Sequence, residues 1–188
     1  MPLTRGASHG GAEQLSVAAR LGAALRVVPD FPRPGILFRD ITTLVGDAAL
    51  FHEAIDELAA ACRAESLDAV VGIVARGFLL GGALADVLGA GFVPVRKQGR
   101  LPAEVESVAY ALEYGDAVLE MHTDALEPGH RVVVVDDLLA TGGTAAATVD
   151  LVERMGAAVV RLVFLVELAG LGGAARLDGH PHTSIITL

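Results

Sequence analysis

The sequence predicts an α/β fold with a central, mostly parallel sheet flanked by helices. Two apolar runs, AVVGIV (69–74) and RVVVVDD (131–137), have the continuous Val/Ile content of strands buried in parallel sheets. Each run precedes a segment with helical spacing of its apolar residues, 77–90 and 144–157. Strands and helices that alternate in this way are typical of a parallel sheet covered by helices on both faces.

The N-terminal part of the chain carries two helical signals separated by prolines. Residues 1–11 lack an apolar pattern, and we expect a loose tail there. The apolar spacing predicts an amphipathic helix from Ala12 to about Val28. Three prolines within 29–35 then exclude a helix. Asp47 has the position of an N-cap for a second helix, which runs to about Ala64.

The C-terminal part completes the predicted sheet. Short apolar runs predict further strands at 91–95, 158–168 and 183–188. Between Arg96 and Gly129 the alternation breaks and helical signal is weak. Insertions of this length in a compact domain are usually functional or mobile.

Length and composition indicate one globular domain over residues 1–188. The chain is 53% hydrophobic and 20% charged, which excludes a disordered protein. Its longest apolar stretches, 69–95 and 159–171, are interrupted by charged residues and are not typical of membrane-spanning helices. We therefore expect no membrane association.

Charge and cysteine content indicate the compartment and exclude one class of partner. The formal net charge of −9 argues against a nucleic-acid partner, which usually needs a basic face. The single cysteine, Cys62, cannot form an intrachain disulfide and lies in an apolar helical stretch. Because the N-terminus has no signal-peptide pattern, a reducing cytoplasm is expected.

The stretch VVVVDDLLATGGTAAA (132–147) carries the strongest functional signal. A buried strand ends in Asp136 and Asp137, and a loop with two glycines leads into a helix near Thr144. In open α/β sheets, ligands bind beyond the carboxyl ends of the strands. The free N–H groups and positive dipole end of a helix N-terminus favour a phosphate, while carboxylates accept hydrogen bonds from sugar hydroxyls. The pattern therefore predicts a ribose 5-phosphate site.

Acid-ended strands followed by glycine turns also occur in other α/β proteins. The sequence contains no G-x-x-x-x-G-K-[ST] loop, which argues against a P-loop NTPase, and no G-x-G-x-x-G dinucleotide fingerprint.

The segment VVVVDDLLATGGT resembles the phosphoribosyl pyrophosphate (PRPP) signature of the type I phosphoribosyltransferases. The resemblance implies their fold, in which a small N-terminal hood (here 12–46) and a flexible catalytic loop (96–116) accompany the sheet. It implies that one set of residues binds the ribose and the 5′-phosphate: Asp136, Asp137, Ala140, Thr141, Gly142, Gly143 and Thr144.

A second segment, DFPRPGILFRDIT (30–42), resembles the adenine-binding segment of adenine phosphoribosyltransferases. The backbone of Leu37 and Arg39 would read the hydrogen-bonding edge of the base, and Phe38 would stack on it; aromatic stacking of a base contributes about 1–3 kcal/mol in nucleic-acid systems. Taken without the rest of the match, Phe38 is better interpreted as a core residue and Arg39–Asp40 as a surface pair.

A third segment combines RKQGRLPAE (96–104) with YALEYG (110–115) and resembles the family's flexible catalytic loop. The resemblance implies that Arg96, Lys97 and Arg100 contact pyrophosphate and that Glu113 lies near adenine N7. In isolation the basic residues would be interpreted as a solvated turn, and Glu113 as an exposed strand residue.

A fourth segment, VARGFLLGG (74–82), resembles the family's pyrophosphate-binding turn. Ala75, Arg76 and Gly77 offer charge and exposed N–H groups to a diphosphate. The resemblance also implies a non-proline cis peptide, expected at Ala75–Arg76.

Together these segments predict an enzyme that joins adenine to PRPP, giving AMP and pyrophosphate. Arg76, Lys97 and Glu113 are the expected catalytic residues, and Mg²⁺ carried by PRPP is the expected cofactor. The family also implies a homodimer. His180 and His182 are expected at the surface; an H-P-H pair can catch a metal ion, but no carboxylate or cysteine partner is evident in the sequence.

Three alternatives remain at this point. The first is a transferase for xanthine, hypoxanthine or orotate, against which segment 30–42 argues. The second is a PRPP-sensing regulator without chemistry, although such proteins usually carry a DNA-binding domain for which this chain has neither room nor charge. The third is an unrelated nucleotide-binding module, for which all four segments would have to be coincidental.

Overall fold

A computed structural model describes residues 15–63, 65–111, 116–177 and 179–188. The expected tail at 1–11 lies outside these residues, as does Glu113. The helices and strands follow one another in this order: α1 (Val17–Ala24), β1 (Arg26–Pro29), β2 (Leu37–Asp40), α2 (Thr42–Val45), α3 (Ala48–Cys62), β3 (Ala69–Ile73), α4 (Gly77–Leu88), β4 (Gly91–Lys97), β5 (Val105–Ala111), β6 (Asp116–His122), β7 (Arg131–Leu139), α5 (Gly143–Arg154), β8 (Ala158–Glu167) and β9 (His182–Thr187). Two short 3₁₀ helices, Ala169–Leu171 and Gly173–Leu177, lie between β8 and β9.

The described strands form one large sheet and one small sheet. The large sheet has the order β5-β6-β4-β3-β7-β8-β9, and its five strands from β4 to β9 are parallel. The antiparallel pair β5–β6 extends it at the β4 edge. The carboxyl ends of β3 and β7 lie side by side at the centre, which is where ligands bind in open sheets of this kind.

The buried strands separate two hydrophobic cores. Alternate residues of a strand point to opposite faces of the sheet. Val134 therefore belongs to the core under α5, whereas Val133 belongs to the core under α3 and α4. The predicted strands at 69–74 and 131–137 are confirmed, although β7 continues two residues further, to Leu139.

The N-terminal helix is shorter than the sequence predicts. It begins at Val17, where the Ser16 side chain accepts a hydrogen bond from the Ala19 N–H, and it ends at Ala24. The predicted extension to Val28 is wrong because residues 26–29 pair with β2 as an antiparallel strand. The N-cap at Asp47 is confirmed, since its carboxylate accepts hydrogen bonds from the N–H groups of Ala49 and Leu50.

The insertion between Arg96 and Gly129 consists mainly of strands. β4 continues to Lys97, and β5 and β6 pair over their whole length from Val105↔His122 to Ala111↔Asp116. The sequence did not predict these strands because an antiparallel edge pair has one exposed side and lacks a continuous apolar run.

Within the described residues, no helix is long and apolar enough to cross a membrane. Cys62 is buried in α3, and burial raises the pKa of its thiol to about 11. The thiol is therefore protonated at neutral pH, which agrees with the packing role expected for it.

Candidate active site

The loop between β7 and α5 forms a small anion-receptive cavity. Gly142 is the N-cap of α5 with φ 79°, a left-handed conformation that favours glycine. A Cβ atom at this position would lie 2.5 Å from the Gly173 carbonyl oxygen, so the second 3₁₀ helix packs directly on the loop. The backbone of Gly143 begins the helix, and its N-terminal N–H groups face the cavity mouth.

Most of the residues expected to bind ribose 5-phosphate line this cavity of about 70 Å³. They come from the end of β7, the loop and the first turn of α5: Asp136, Ala140, Thr141, Gly142, Gly143 and Thr144. Asp137 does not line it, because adjacent strand residues point to opposite faces.

The acidic pair at the end of β7 has two distinct environments. Burial raises the pKa of the Asp136 carboxyl well above its usual range, and the neighbouring Asp137 carboxylate raises this pKa further. Asp136 Oδ1 accepts a hydrogen bond from the Asp137 N–H at 2.9 Å. Asp137 is buried and forms an ion pair with Arg76, whose Nε lies 2.5 Å from Asp137 Oδ2. The pair therefore contributes less negative charge beside a phosphate than two free carboxylates would.

Arg76 connects the acidic pair to the N-terminal hood. Its guanidinium carbon lies 5.1 Å from the centroid of the Phe38 ring, within the range of a cation–π contact. Phe38 also packs edge-on against Phe31, with ring centroids 5.1 Å apart.

Leu37 and Arg39 flank Phe38 on β2 and are two residues apart, so their backbone groups face the same edge of that strand. Arg39 does not pair with Asp40, which instead accepts hydrogen bonds from Thr42.

The start of α4 lies against the end of β7. Gly77 is buried, and a Cβ atom there would lie 2.9 Å from Asp136 Oδ1 and 3.0 Å from the Val135 carbonyl oxygen. Only glycine allows the helix to approach this closely.

The structure contains a non-proline cis peptide, as the family resemblance implies, but its predicted position at Ala75–Arg76 is wrong. The cis bond lies one residue earlier, at Val74–Ala75. Arg76 already has helical backbone as the N-cap of α4.

The basic residues expected at the pyrophosphate site surround a second cavity, of about 310 Å³. Its lining comes from the end of β3 and from the turn after β4: Val74, Ala75, Arg96, Lys97 and Arg100. Arg76 and Gly77 lie outside this lining. The Arg96 side chain is engaged locally, because its Nη1 donates a hydrogen bond to the Arg100 carbonyl oxygen at 2.7 Å.

A third cavity, of about 570 Å³, shares lining residues with each of the other two. Lys97 and Val74 line both this cavity and the basic cavity. Thr144 lines both this cavity and the loop cavity. Tyr110 also lines it, and its hydroxyl lies 3.2 Å from Thr144 Oγ1. The phosphate-receptive loop and the basic turn therefore each contribute a residue to the lining of this cavity.

Two residues of this region were not singled out from the sequence. Tyr110 belongs to the segment with family resemblance, but no pattern in the sequence indicates its contact with Thr144. Gly173 lies outside the four segments with family resemblance, and its contact with Gly142 depends on tertiary structure. The expected position of Glu113 near adenine stays a prediction.

One of the two C-terminal histidines contacts a carboxylate of α5, and the other contacts the neighbouring backbone. His180 Nε2 lies 3.0 Å from Glu153 Oε1, and His182 Nδ1 lies 3.4 Å from the His180 carbonyl oxygen. Both side chains are partly exposed. The residues that the structure describes contain no group of three or more His, Cys, Asp or Glu arranged to hold a metal ion.

Comparison with known proteins identifies the family of this site. A family model described as the phosphoribosyl transferase domain matches residues 45–182. The adenine phosphoribosyltransferase of Paracoccus denitrificans (strain Pd 1222) is 60% identical over 158 residues, 84% of this chain and 84% of that protein. That of Chelativorans sp. (strain BNC1) is 55% identical over 163 residues, 87% of this chain and 90% of that protein. The chain belongs to the adenine phosphoribosyltransferase family.

Solved structures of adenine phosphoribosyltransferases share the fold. The crystal structure of the enzyme from Rhodothermus marinus DSM 4252 superposes with a TM-score of 0.88 at 50% identity, covering 92% of this chain and 98% of that one. The Saccharomyces cerevisiae enzyme, crystallised with an imino-altritol bisphosphate and adenine, gives a TM-score of 0.86 at 40% identity, covering 90% and 98%. The predicted type I phosphoribosyltransferase fold is confirmed, and the alternative of an unrelated α/β module is wrong.

Proposed function

We propose that this adenine phosphoribosyltransferase transfers the 5-phosphoribosyl group of PRPP to adenine, giving AMP and pyrophosphate in purine salvage. The observation that carries the proposal is a cavity lined by residues from both of the expected anion-binding regions. One cavity is shared by Thr144 of the phosphate-receptive loop and Lys97 of the basic turn. PRPP has a phosphate at one end of its ribose and a diphosphate at the other, which matches this arrangement.

The 5′-phosphate binds in the loop from Ala140 to Thr144. Backbone N–H groups at the start of α5 and the hydroxyls of Thr141 and Thr144 donate hydrogen bonds to it, and the helix dipole favours its charge. Because this phosphate does not react, its binding energy serves to orient C1′ of the ribose.

Asp136 and Asp137 orient the ribose hydroxyls. Asp136 lines the loop cavity and can contact the sugar directly, whereas Asp137 acts through Arg76, with which it is paired. This division of roles agrees with the opposite directions of adjacent strand residues.

The leaving diphosphate lies in the basic cavity. Lys97 and Arg100, with the N–H groups near Ala75 and Gly77, stabilise the charge that develops as the C1′–O bond breaks. Arg96 supports the cavity through its hydrogen bond to the Arg100 carbonyl. Arg76 has its guanidinium between Asp137 and Phe38, close to the place where the sugar meets the base.

Mg²⁺ is the cofactor of the proposed reaction and is carried by PRPP. The site fits an ion carried by the substrate: Asp137 is already paired with Arg76, and the described residues contain no group of three or more metal-ligating side chains, so the phosphate oxygens of PRPP provide the ligands. When bound, the ion supplies charge neutralisation to the diphosphate.

Adenine binds against the hood. Phe38 stacks on the base, and the backbone of Leu37 and Arg39 reads its hydrogen-bonding edge. Glu113 exchanges a proton near adenine N7 as N9 attacks C1′; this role comes from the family resemblance. The Saccharomyces cerevisiae relative was crystallised with adenine, which supports a base of this type.

The protein acts as a cytoplasmic homodimer. An apolar surface on α4 supports the dimer: Leu79 and Val87 are about half exposed there, at 48% and 50%. A Cβ atom at Gly82 would meet open space, so a partner can approach the helix closely.

A product assay tests the proposed reaction. Purified protein is incubated with adenine and PRPP, with Mg²⁺ or with EDTA, and AMP and pyrophosphate are separated by chromatography. We expect equal amounts of the two products with Mg²⁺ and none with EDTA. PRPP binding without any AMP would contradict the proposal and favour a PRPP-sensing regulator.

A further inference from the structure

Glu120 is a buried carboxylate to which the proposed reaction assigns no role. It lies on β6 and is 6% exposed. The other strongly buried polar side chains of the described residues have evident partners: Asp137 pairs with Arg76, and Thr148 donates a hydrogen bond to the Thr144 carbonyl oxygen. Burying a carboxylate costs free energy unless hydrogen bonds offset the lost hydration, so Glu120 requires an explanation.

The partner of Glu120 is the backbone of the basic turn. Its Oε2 accepts a hydrogen bond from the Gly99 N–H at 2.8 Å. Gly99 has φ 70°, a left-handed conformation that lets this N–H turn toward the sheet. Arg100 follows the bonded residue directly and Lys97 lies two positions before it, and both line the proposed pyrophosphate cavity.

Strand pairing fixes the start of the turn, because Arg96 and Lys97 of β4 lie opposite Glu120 and Leu119 of β6. The Gln98 N–H donates to the Val118 carbonyl oxygen at 3.1 Å, and Arg96 Nη1 donates to the Arg100 carbonyl oxygen. All four residues from Lys97 to Arg100 are exposed. Beyond Gln98, the recorded contact that ties the exposed turn to the sheet is the one between the buried Glu120 carboxylate and the Gly99 N–H.

We propose that Glu120 is a positioning residue for pyrophosphate: it fixes the Gly99 amide and so holds Arg100 toward the leaving diphosphate, beside Lys97 at the end of β4. This inference depends on the proposed function of the basic cavity. A cationic turn held in one conformation binds a diphosphate without first being ordered, whereas a loose turn must be ordered on binding.

In this account, the length of the Glu120 side chain and its acceptor oxygen matter, and its charge does not. Two substitutions separate these properties. Glu120→Gln keeps the length and a carbonyl acceptor but removes the charge. Glu120→Asp keeps the charge but shortens the side chain by one methylene. Glu127, whose side chain is 84% exposed, provides the matched controls Glu127→Gln and Glu127→Asp.

The experiment measures pyrophosphate binding with Mg²⁺ by calorimetry, together with KM for PRPP and for adenine. We expect Glu120→Asp to raise the pyrophosphate Kd and the PRPP KM about tenfold, with the adenine KM within twofold of wild type. Glu120→Gln and both Glu127 variants should stay within threefold of wild type for all constants.

Two outcomes would overturn the inference: Glu120→Asp binding pyrophosphate like wild type, or Glu120→Gln weakened as much as Glu120→Asp, which would indicate a role of charge. A fall in adenine and pyrophosphate affinity together with a lowered melting temperature would also overturn it, because that pattern indicates a general structural role. Absence of AMP formation by the wild type would contradict the proposed reaction, while the calorimetric comparison would still test Glu120.

Discussion

At the scale of single residues, Arg76 joins parts of the site that are far apart in sequence. Its guanidinium pairs with Asp137 and lies over the Phe38 ring. Asp137 was predicted as part of the site because it ends a buried strand, and Arg76 because it opens a glycine-rich helix start. Phe38 was predicted only through the resemblance of segment 30–42 to the family. Their mutual contacts could not be predicted, since these depend on how the hood folds over the sheet.

The raised pKa of Asp136 predicts a stability effect that depends on pH. The folded state holds the Asp136 proton more tightly than the unfolded state does, so protonation of Asp136 stabilises the fold. This stabilisation is fully present below pH 3.8, the usual pKa of an aspartate. It is lost as pH rises through the raised pKa. Asp136→Asn removes this loss, so we expect its melting temperature to exceed that of wild type at pH 8 by about 2–4 °C, the shift that about 1 kcal/mol produces in a domain of this size.

Thermal unfolding at pH 4 and pH 8 checks this expectation. The advantage of Asp136→Asn should shrink or vanish at pH 4, while activity is reduced at both values. Asp137→Asn is the matched contrast, because it removes the partner of Arg76 and should lower the melting temperature at pH 8. An equal effect of Asp136→Asn at both pH values would contradict the pKa argument.

At the scale of elements, the phosphate loop is fixed by a segment with no recognisable motif. The second 3₁₀ helix packs on it so closely that a Cβ atom at Gly173 would lie 2.3 Å from the Ala140 carbonyl oxygen. The order strand, acids, loop and helix was predictable because it depends on local sequence. The pairing of β5 with β6 and the packing of residues 173–177 were not, because both depend on contacts between distant elements.

Gly142→Ala should disrupt the contact between the loop and the second 3₁₀ helix. The added methyl group would meet the Gly173 carbonyl oxygen at 2.5 Å, in a backbone conformation with φ 79°. We expect a loss of about 1–3 kcal/mol in the free energy of unfolding and a higher KM for PRPP. Denaturant unfolding and steady-state kinetics measure the two effects.

Gly170→Ala is the control for this substitution, because a Cβ atom at Gly170 has no neighbour within 4 Å. It should leave both quantities close to wild type. Equal behaviour of the two alanine variants would show that the loop does not depend on the close approach.

At the scale of the whole molecule, one side of the fold carries an apolar surface beside the site. Leu79 and Val87 of α4 are about half exposed, and Phe92, 36% exposed, packs edge-on against Phe78 of the same helix. The composition shows a high apolar content, but it does not predict which apolar residues are buried and which are exposed.

The proposed dimer predicts a mass of about two chains in light scattering coupled to size-exclusion chromatography. The double variant Leu79→Glu and Val87→Glu places charges on the apolar surface and should elute as a folded monomer. Leu15→Glu alters a residue that is 61% exposed elsewhere and should remain dimeric. A monomeric wild type, or a double variant that stays dimeric, would contradict the proposed interface.

Base selection in a single reaction tests the central claim most directly. Equal concentrations of adenine, hypoxanthine, guanine, xanthine and orotate are offered together with limiting PRPP and Mg²⁺, and the nucleotide products are separated by chromatography. We expect AMP as almost the entire product, because segment 30–42 resembles the adenine-binding segment of the family. A different nucleotide as the main product would preserve the PRPP site but contradict the assignment of Leu37, Phe38 and Arg39 to adenine.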